Sequence, residues 1–244
     1  MSVSERYRRA WESYWKETSD AAGEAIWDAD PSLSAAPHSE LLAPYADPAL
    51  PVVDLGCGNG TQTRYLASRF PRAMGVDLSW AAVEHARRAD TAGVAEFRQL
   101  SLTDREGIRE LHEELGDANV YMRAVIHQSD AEDRRPVAEA VAALVGERGR
   151  AFVVELTEAS KATLGRLAGS PGGPPAKLRR VFDHGLRPAD AADAEVPELL
   201  VAVGLEILAE GPTALAQTEQ WADGSRVELP ARWFVVGPQR SVLG

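Results

Sequence analysis

From Val52 to Leu156 the chain alternates short apolar runs with longer amphipathic stretches. "VVDL" has the β-branched composition of a buried strand, and "TQTRYLASRF", after a turn, reads as a helix. "AMGVD" is a second strand ending at Asp77, and "WAAVEHARRA" is a helix that Ser79 caps. "AEFRQLSL" alternates as a third strand, and "DREGIRELHEEL" has an amphipathic helical pattern. "ANVYMRAVIH" predicts a fourth strand, "AEAVAALV" part of a helix, and "RAFVVEL" a fifth strand. Strands and helices in this order form βαβ units with right-handed crossovers, so the expected fold class is α/β, with a doubly wound, mostly parallel sheet.

The flanks carry other patterns. Tyr7, Trp11, Tyr14 and Trp15 recur at helical spacing and make an aromatic stripe, with Trp27 downstream. Asp30 to Pro51 reads as a loop with one short helix. "GSPGGPPAKL", residues 169–178, is a Pro/Gly-rich breaker, and a helix near "VPELLVAVG" follows it. "LEILAEG" and "ARWFVVG", separated by the turn-like "ADGSR", predict a C-terminal hairpin that completes a seven-stranded sheet with an antiparallel neighbour.

Composition narrows the class. Of the 244 residues, 45% are apolar, enough for a substantial core. No apolar run approaches the ~20 residues of a membrane span. The N-terminal segment carries charges and tryptophans where a secretory peptide is apolar, so the expectation is a cytoplasmic protein without a membrane partner. The single Cys57 agrees with this and rules out an intramolecular disulfide or a cysteine-rich zinc site; no metal is expected. A net charge of −11 weighs against a nucleic-acid partner and favours a small-molecule substrate. A monomer or homodimer is expected.

"PVVDLGCGNGTQTRYL" concentrates the chemistry. Gly56, Gly58 and Gly60 occupy the turn after the first strand, where a doubly wound sheet binds its ligand. Glycine there allows positive φ and close backbone approach. The spacing is GxGxG, not the GxGxxG of a pyrophosphate-binding turn. Asp54, just ahead, repels a pyrophosphate but suits a cationic amino group, and Asp77 at the end of the second strand can accept two ribose hydroxyls. A cofactor with an amino-acid head and an adenosine tail satisfies both carboxylates. A nicotinamide-dependent oxidoreductase fits the glycine spacing less well. A cofactor-binding protein without turnover is the other alternative.

"VVDLGCGNGT" followed by "GVDLS" resembles the first two motifs of class I S-adenosylmethionine-dependent methyltransferases, and the likeness covers about residues 50–160 in order. The resemblance implies that Asp54, Gly56, Gly58 and Gly60 surround the methionine moiety, with Cys57 a small side chain inside the turn. Asp77 then holds the ribose and Leu78 packs on the adenine. The family's acidic residue after the third strand is replaced by Ser101, with Leu102 beside it, a departure at the adenine contact. "YMRAVIHQ" is similar to a family pattern that sets Arg123 and Ala124 beside the cofactor and His127 at the reaction centre. His127 and Glu155, at the end of the fifth strand, are the candidate catalytic residues. The likeness also implies a helical cap over residues 1–48 and a methyltransferase domain over 49–244, with a substrate-side insert near 160–195. Tyr7, Trp11, Tyr14, His127 and His184 are the candidate substrate contacts. The "NPPY"-like turn of enzymes that methylate bases or glutamine is absent. The implied activity is methyl transfer to an O, N or C atom of a metabolite.

Overall fold

Four consecutive apolar or buried positions in "VVDL" make β1 (Val52–Leu55) a strand covered on both faces, and the computed structural model places it inside a seven-stranded sheet. The structure describes residues 3–187 and 191–239; positions 188–190 of the predicted insert lie outside the described residues. The other strands are β2 (Ala73–Asp77), β3 (Glu96–Gln99), β4 (Asn119–Arg123), β5 (Ala151–Leu156), β6 (Leu205–Gln220) and β7 (Arg226–Pro238). Their order is β3-β2-β1-β4-β5-β7-β6. The first five run parallel, and β7 pairs antiparallel with both β5 and β6. The doubly wound α/β sheet with a C-terminal antiparallel hairpin is the architecture the alternation predicts. Among the described residues, no helix is long and apolar enough to cross a membrane.

The period of two sorts the strand residues. One face carries Val53, Met74, Val120 and Val153 into a core with α5 (Arg105–Leu115), α6 (Ala131–Val145) and α9 (Glu195–Ala202). The other carries Val52, Tyr121 and Phe152 against α2 (Ala35–Leu42) and α3 (Thr61–Leu66). On that second face, rings stack across three strands: Tyr121 on Phe152 at 6.0 Å and Phe152 on Trp233 at 6.0 Å. His38 of α2 stacks on Phe152 at 4.8 Å, and its Nδ1 lies 2.9 Å from the Tyr121 hydroxyl. Burial pushes the His38 imidazole down to about 3, so it sits there neutral. Each such aromatic pair adds roughly 0.5–1.5 kcal/mol beyond its area.

Several boundaries move from their expected places. The helix after the glycine turn ends at Leu66, not Phe70. β3 stops at Gln99, short of "LSL", because it is an edge strand whose partner β2 ends at Asp77. β4 stops at Arg123, since Ala124 adopts φ 61 and turns the chain into a 3-10 helix, Ile126–Gln128; His127 therefore lies beyond the strand. The breaker is irregular only to Pro175, where α8 (Ala176–Asp183) begins after α7 (Ala159–Ala168). The hairpin strands span 16 and 13 residues. β6 accommodates Gly211 and Pro212 because it is the sheet edge, and Gly211 lies under the Trp233 ring.

Gly60 closes the turn into α3 with φ 73, and a Cβ there would lie 2.5 Å from Cε1 of Phe97 on β3. Gly93 has a similar φ, +63, with open space around it. Gly60→Ala is expected to lower unfolding free energy by roughly 2–4 kcal/mol. Gly93→Ala should cost about 1–2 kcal/mol, for conformation alone. Urea denaturation checks the pair, and equal losses would refute the packing account.

Candidate active site

The carboxyl ends of β1, β2 and β4 open into one cleft, at the point where strand order reverses. Strand periodicity sets Asp54, Asp77 and Arg123 on the same face there. Asp54 accepts a 2.6 Å bond from the Thr63 hydroxyl, and Asp77 accepts the Gly58 and Ser79 amides at 3.0 and 2.9 Å. Burial pushes both carboxyls up to about 6. The Arg123 guanidinium donates to the Trp27 carbonyl at 3.0 Å. Ala124, left-handed without being glycine, carries local strain of about 1–2 kcal/mol at the cleft wall.

Helix α1 (Val3–Glu17) roofs the cleft. Its Glu12 accepts from the Ser79 hydroxyl and the Ala81 amide, at 2.8 and 3.1 Å, so α1 caps the start of α4 (Trp80–Ala89). Trp15 lies against the glycine turn so closely that a Cβ on Gly58 would come 2.8 Å from its ring. That approach, with φ +53, is why residue 58 is glycine. Trp11 and Trp27 meet edge to face at 5.4 Å, and Tyr7 and Trp11 at 6.1 Å, which forms an aromatic wall.

Beyond Ala124 lies a buried pair. His127 Nδ1 is 2.6 Å from Glu155 Oε2, and the two side chains are 3% and 2% exposed. The Glu155 carboxylate also accepts the amides of Val125, Ile126 and His127, at 2.9, 2.8 and 3.2 Å. One carboxylate thus holds the 3-10 turn and the imidazole together. Donation by Nδ1–H leaves His127 Nε2 to accept from the Gln128 side-chain amide at 3.0 Å, and both residues line the cleft.

Comparison with known proteins agrees with this geometry. Residues 52–149 match a family model described as a methyltransferase domain. An S-adenosylmethionine-dependent methyltransferase of Anabaena variabilis superposes with a TM-score of 0.87 at 31% identity, covering 95% of each chain. The chain is a class I S-adenosylmethionine-dependent methyltransferase. A curated trans-aconitate 2-methyltransferase of Methylobacterium nodulans is 45% identical over 73 residues, which span only 28% of that relative's length. Magnesium protoporphyrin IX methyltransferase of Synechocystis, solved with S-adenosylhomocysteine, shares the fold alone at 16% identity, with a TM-score of 0.57 and 93% and 92% coverage.

Not every expected residue of this methyltransferase reaches the cleft. Asp54, Gly56, Cys57, Gly58, Asp77 and Leu78 line it, as do Arg123, His127, Tyr7 and Trp11. Gly60, Ser101, Leu102, Tyr14, Glu155 and His184 do not. Gly60 packs on Phe97, and the Ser101 hydroxyl bonds Thr103. Leu102 joins the α5–α6 core, and Tyr14 is fully buried among aromatic rings. His184 pairs with Glu17. Cys57 is buried and its thiol is pushed well up by burial, which leaves it an inert packing group. The turn's amides are largely spent inside the protein, since Gly56 and Cys57 both donate to the Val76 carbonyl. Among the described residues, no group of His, Cys, Asp and Glu forms a metal site. Trp15, Asp28, Gln128 and Gln217 also line the cleft, and sequence reasoning missed them. Asp28 accepts from Asn59 of the glycine turn at 2.7 Å, and no local motif announces that contact.

Glu155→Gln retains the shape but replaces one of the two acceptor oxygens, each of which takes two of these bonds, with a donor. It should cost roughly 2–4 kcal/mol of stability. The urea midpoint measures this, and an unchanged midpoint would remove the structural role given to the carboxylate.

Proposed function

We propose that the cleft binds S-adenosylmethionine along the ends of β1, β2 and β4 and passes its methyl group to a weakly acidic group on a small-molecule acceptor. The residues suit the cofactor. Asp54 and Asp77 are buried carboxyls held up at about 6, and a bound ammonium or a pair of hydroxyl donors offsets the desolvation of their charged forms. On this reading Asp54, Gly56, Cys57 and Gly58 frame the amino-acid head, with Arg123 near its carboxylate. Asp77 keeps lone pairs for the ribose, and Leu78 lies against the base. When bound, the sulfonium supplies an electrophilic methyl group. Gly60, Ser101 and Leu102 act through the shape of the turn and the core, not by contact.

The observation that carries the reading is the His127–Glu155 pair, buried at 2.6 Å in the wall of the same cleft as the two aspartates. The acceptor displaces the Gln128 side-chain amide from His127 Nε2, which takes the proton of its hydroxyl or equivalent group as the oxygen or nitrogen attacks. Glu155 holds Nδ1–H and stabilises the imidazolium that forms. Glu155 is thus a positioning residue, and His127 the catalytic one. Tyr7 and Trp11 wall the acceptor, and alignment supplies most of the remaining rate.

A small acceptor is supported by the roofed cleft and by a net charge of −11, which opposes nucleic acid. The partial relative's printed name also specifies a small acceptor. Residues 1–48 act as a cap over a methyltransferase domain of residues 49–244, with residues 160–195 on the substrate side. We read the chain as a cytoplasmic monomer or homodimer.

His127→Ala should lower kcat by about 10²–10⁴-fold. The affinity for S-adenosylhomocysteine should stay within about twofold of wild type by calorimetry, because the base touches only the acceptor. Full activity would end the base assignment. Cofactor affinity should also depend on pH. Binding favours the ionised aspartates, so it lowers their pKa from about 6 and releases protons below that pH. Affinity is then flat at neutral pH and falls by about tenfold per carboxylate between about pH 6.5 and about pH 5. Asp54→Asn and Asp77→Asn should each weaken binding and flatten the slope, and a pH-independent wild-type affinity would refute the account.

A further inference from the structure

The acceptor end of the cleft differs in chemistry from the cofactor end. Leu164 of α7, Leu178, Val181 and Phe182 of α8, and Leu215 and Leu229 of the β6–β7 arm line it. Most of them belong to one apolar cluster with Ile26, Trp11 and Trp27. The polar side chains on this side are His127, Gln128 and Gln217.

Cations are abundant on and beside these elements, yet among the described residues none of them lines the cleft. Arg166 lies over the Trp221 ring at 5.3 Å, and Lys177 donates to the Thr218 hydroxyl at 3.0 Å. Arg179 donates to the Pro174 carbonyl, Arg180 pairs with Glu24, and Arg187 stacks on the Phe182 ring. Not one of the five is in the lining. Among the described residues the lining holds one guanidinium, Arg123, against the three carboxylates Asp28, Asp54 and Asp77. An anionic acceptor therefore meets an apolar wall whose one guanidinium is taken by the cofactor carboxylate, and a buried carboxylate without a partner is heavily penalised.

We propose that the acceptor is an uncharged, largely apolar molecule with one weakly acidic hydroxyl, seated between the Trp11–Trp27 wall and helices α7 and α8. This assignment rests on the reading of His127 as the base. It separates the chain from a tricarboxylate methyltransferase, for which the lining offers no second cation.

The test is calorimetry with S-adenosylhomocysteine bound, using eugenol, ferulate and trans-aconitate. Eugenol and ferulate share a phenol ring and differ chiefly in the carboxylate. Eugenol should bind about tenfold or more tightly than ferulate, and trans-aconitate should give no heat. Val181→Arg should weaken eugenol by about tenfold and leave S-adenosylhomocysteine affinity unchanged, which also reports that the variant is folded. Ferulate or trans-aconitate binding as tightly as eugenol overturns the proposal, and so does an absence of eugenol binding to the wild-type protein. Eugenol that binds but is not methylated leaves the apolar chamber standing and counts against the base reading alone.

Discussion

The reversal of strand order at β1 organises the molecule. β1 pairs with β2 on one side and β4 on the other, so the chain's helices diverge to opposite faces and leave the strand ends uncovered between them. Parallel register brings Asp54, Asp77 and Arg123 to one face of that gap. Positive φ at Gly56, Gly58 and Gly60 lets the chain leave β1 and enter α3 without filling the space. Each later part of the site takes its position from this gap.

The gap becomes a chamber because distant segments close over it. α1 is tied to α4 through Glu12 and presses Trp15 onto the glycine turn. α7, α8 and the β6–β7 arm meet the same aromatic face from the other side. Burying this much aromatic surface is strongly favourable, at roughly 25 cal/mol per Å². The roof is therefore part of the fold and not an appendage. It also keeps water from the buried His127–Glu155 pair, which strengthens charge interactions there.

Two opposite solutions to burying charge stand side by side. Glu155 is satisfied completely from within, by three amides and an imidazole. Asp54 and Asp77 are only partly satisfied, and burial holds their carboxyls up at about 6. The first arrangement fixes the 3-10 turn and the His127 imidazole in place. The second leaves electrostatic demand that a ligand answers, which accords with a carboxylate built for binding.

The alternation from Val52 to Leu156 was legible in the chain because strands buried on both faces and amphipathic helices have different apolar periods. The glycine turn with Asp54 and Asp77 was legible because its chemistry is local: positive φ and a strand-end carboxylate need no distant partner. Strand ends were misread where pairing decides them. "ANVYMRAVIH" alternates well enough to continue, but the left-handed Ala124 stops β4 at Arg123. Likewise, Ser101 is at the expected place in the chain, yet its hydroxyl is bound to Thr103 instead of facing the cleft. The bond between His127 and Glu155 joins residues 28 positions apart, and the Asp28–Asn59 contact joins residues 31 apart. Residue types and spacing therefore placed the glycine turn, Asp54 and Asp77 at one end of the cleft. The apolar end of the cleft, with its inward leucines, arises only when α1, α7, α8 and the hairpin pack together, because side-chain direction there is set by contacts among segments far apart in the chain.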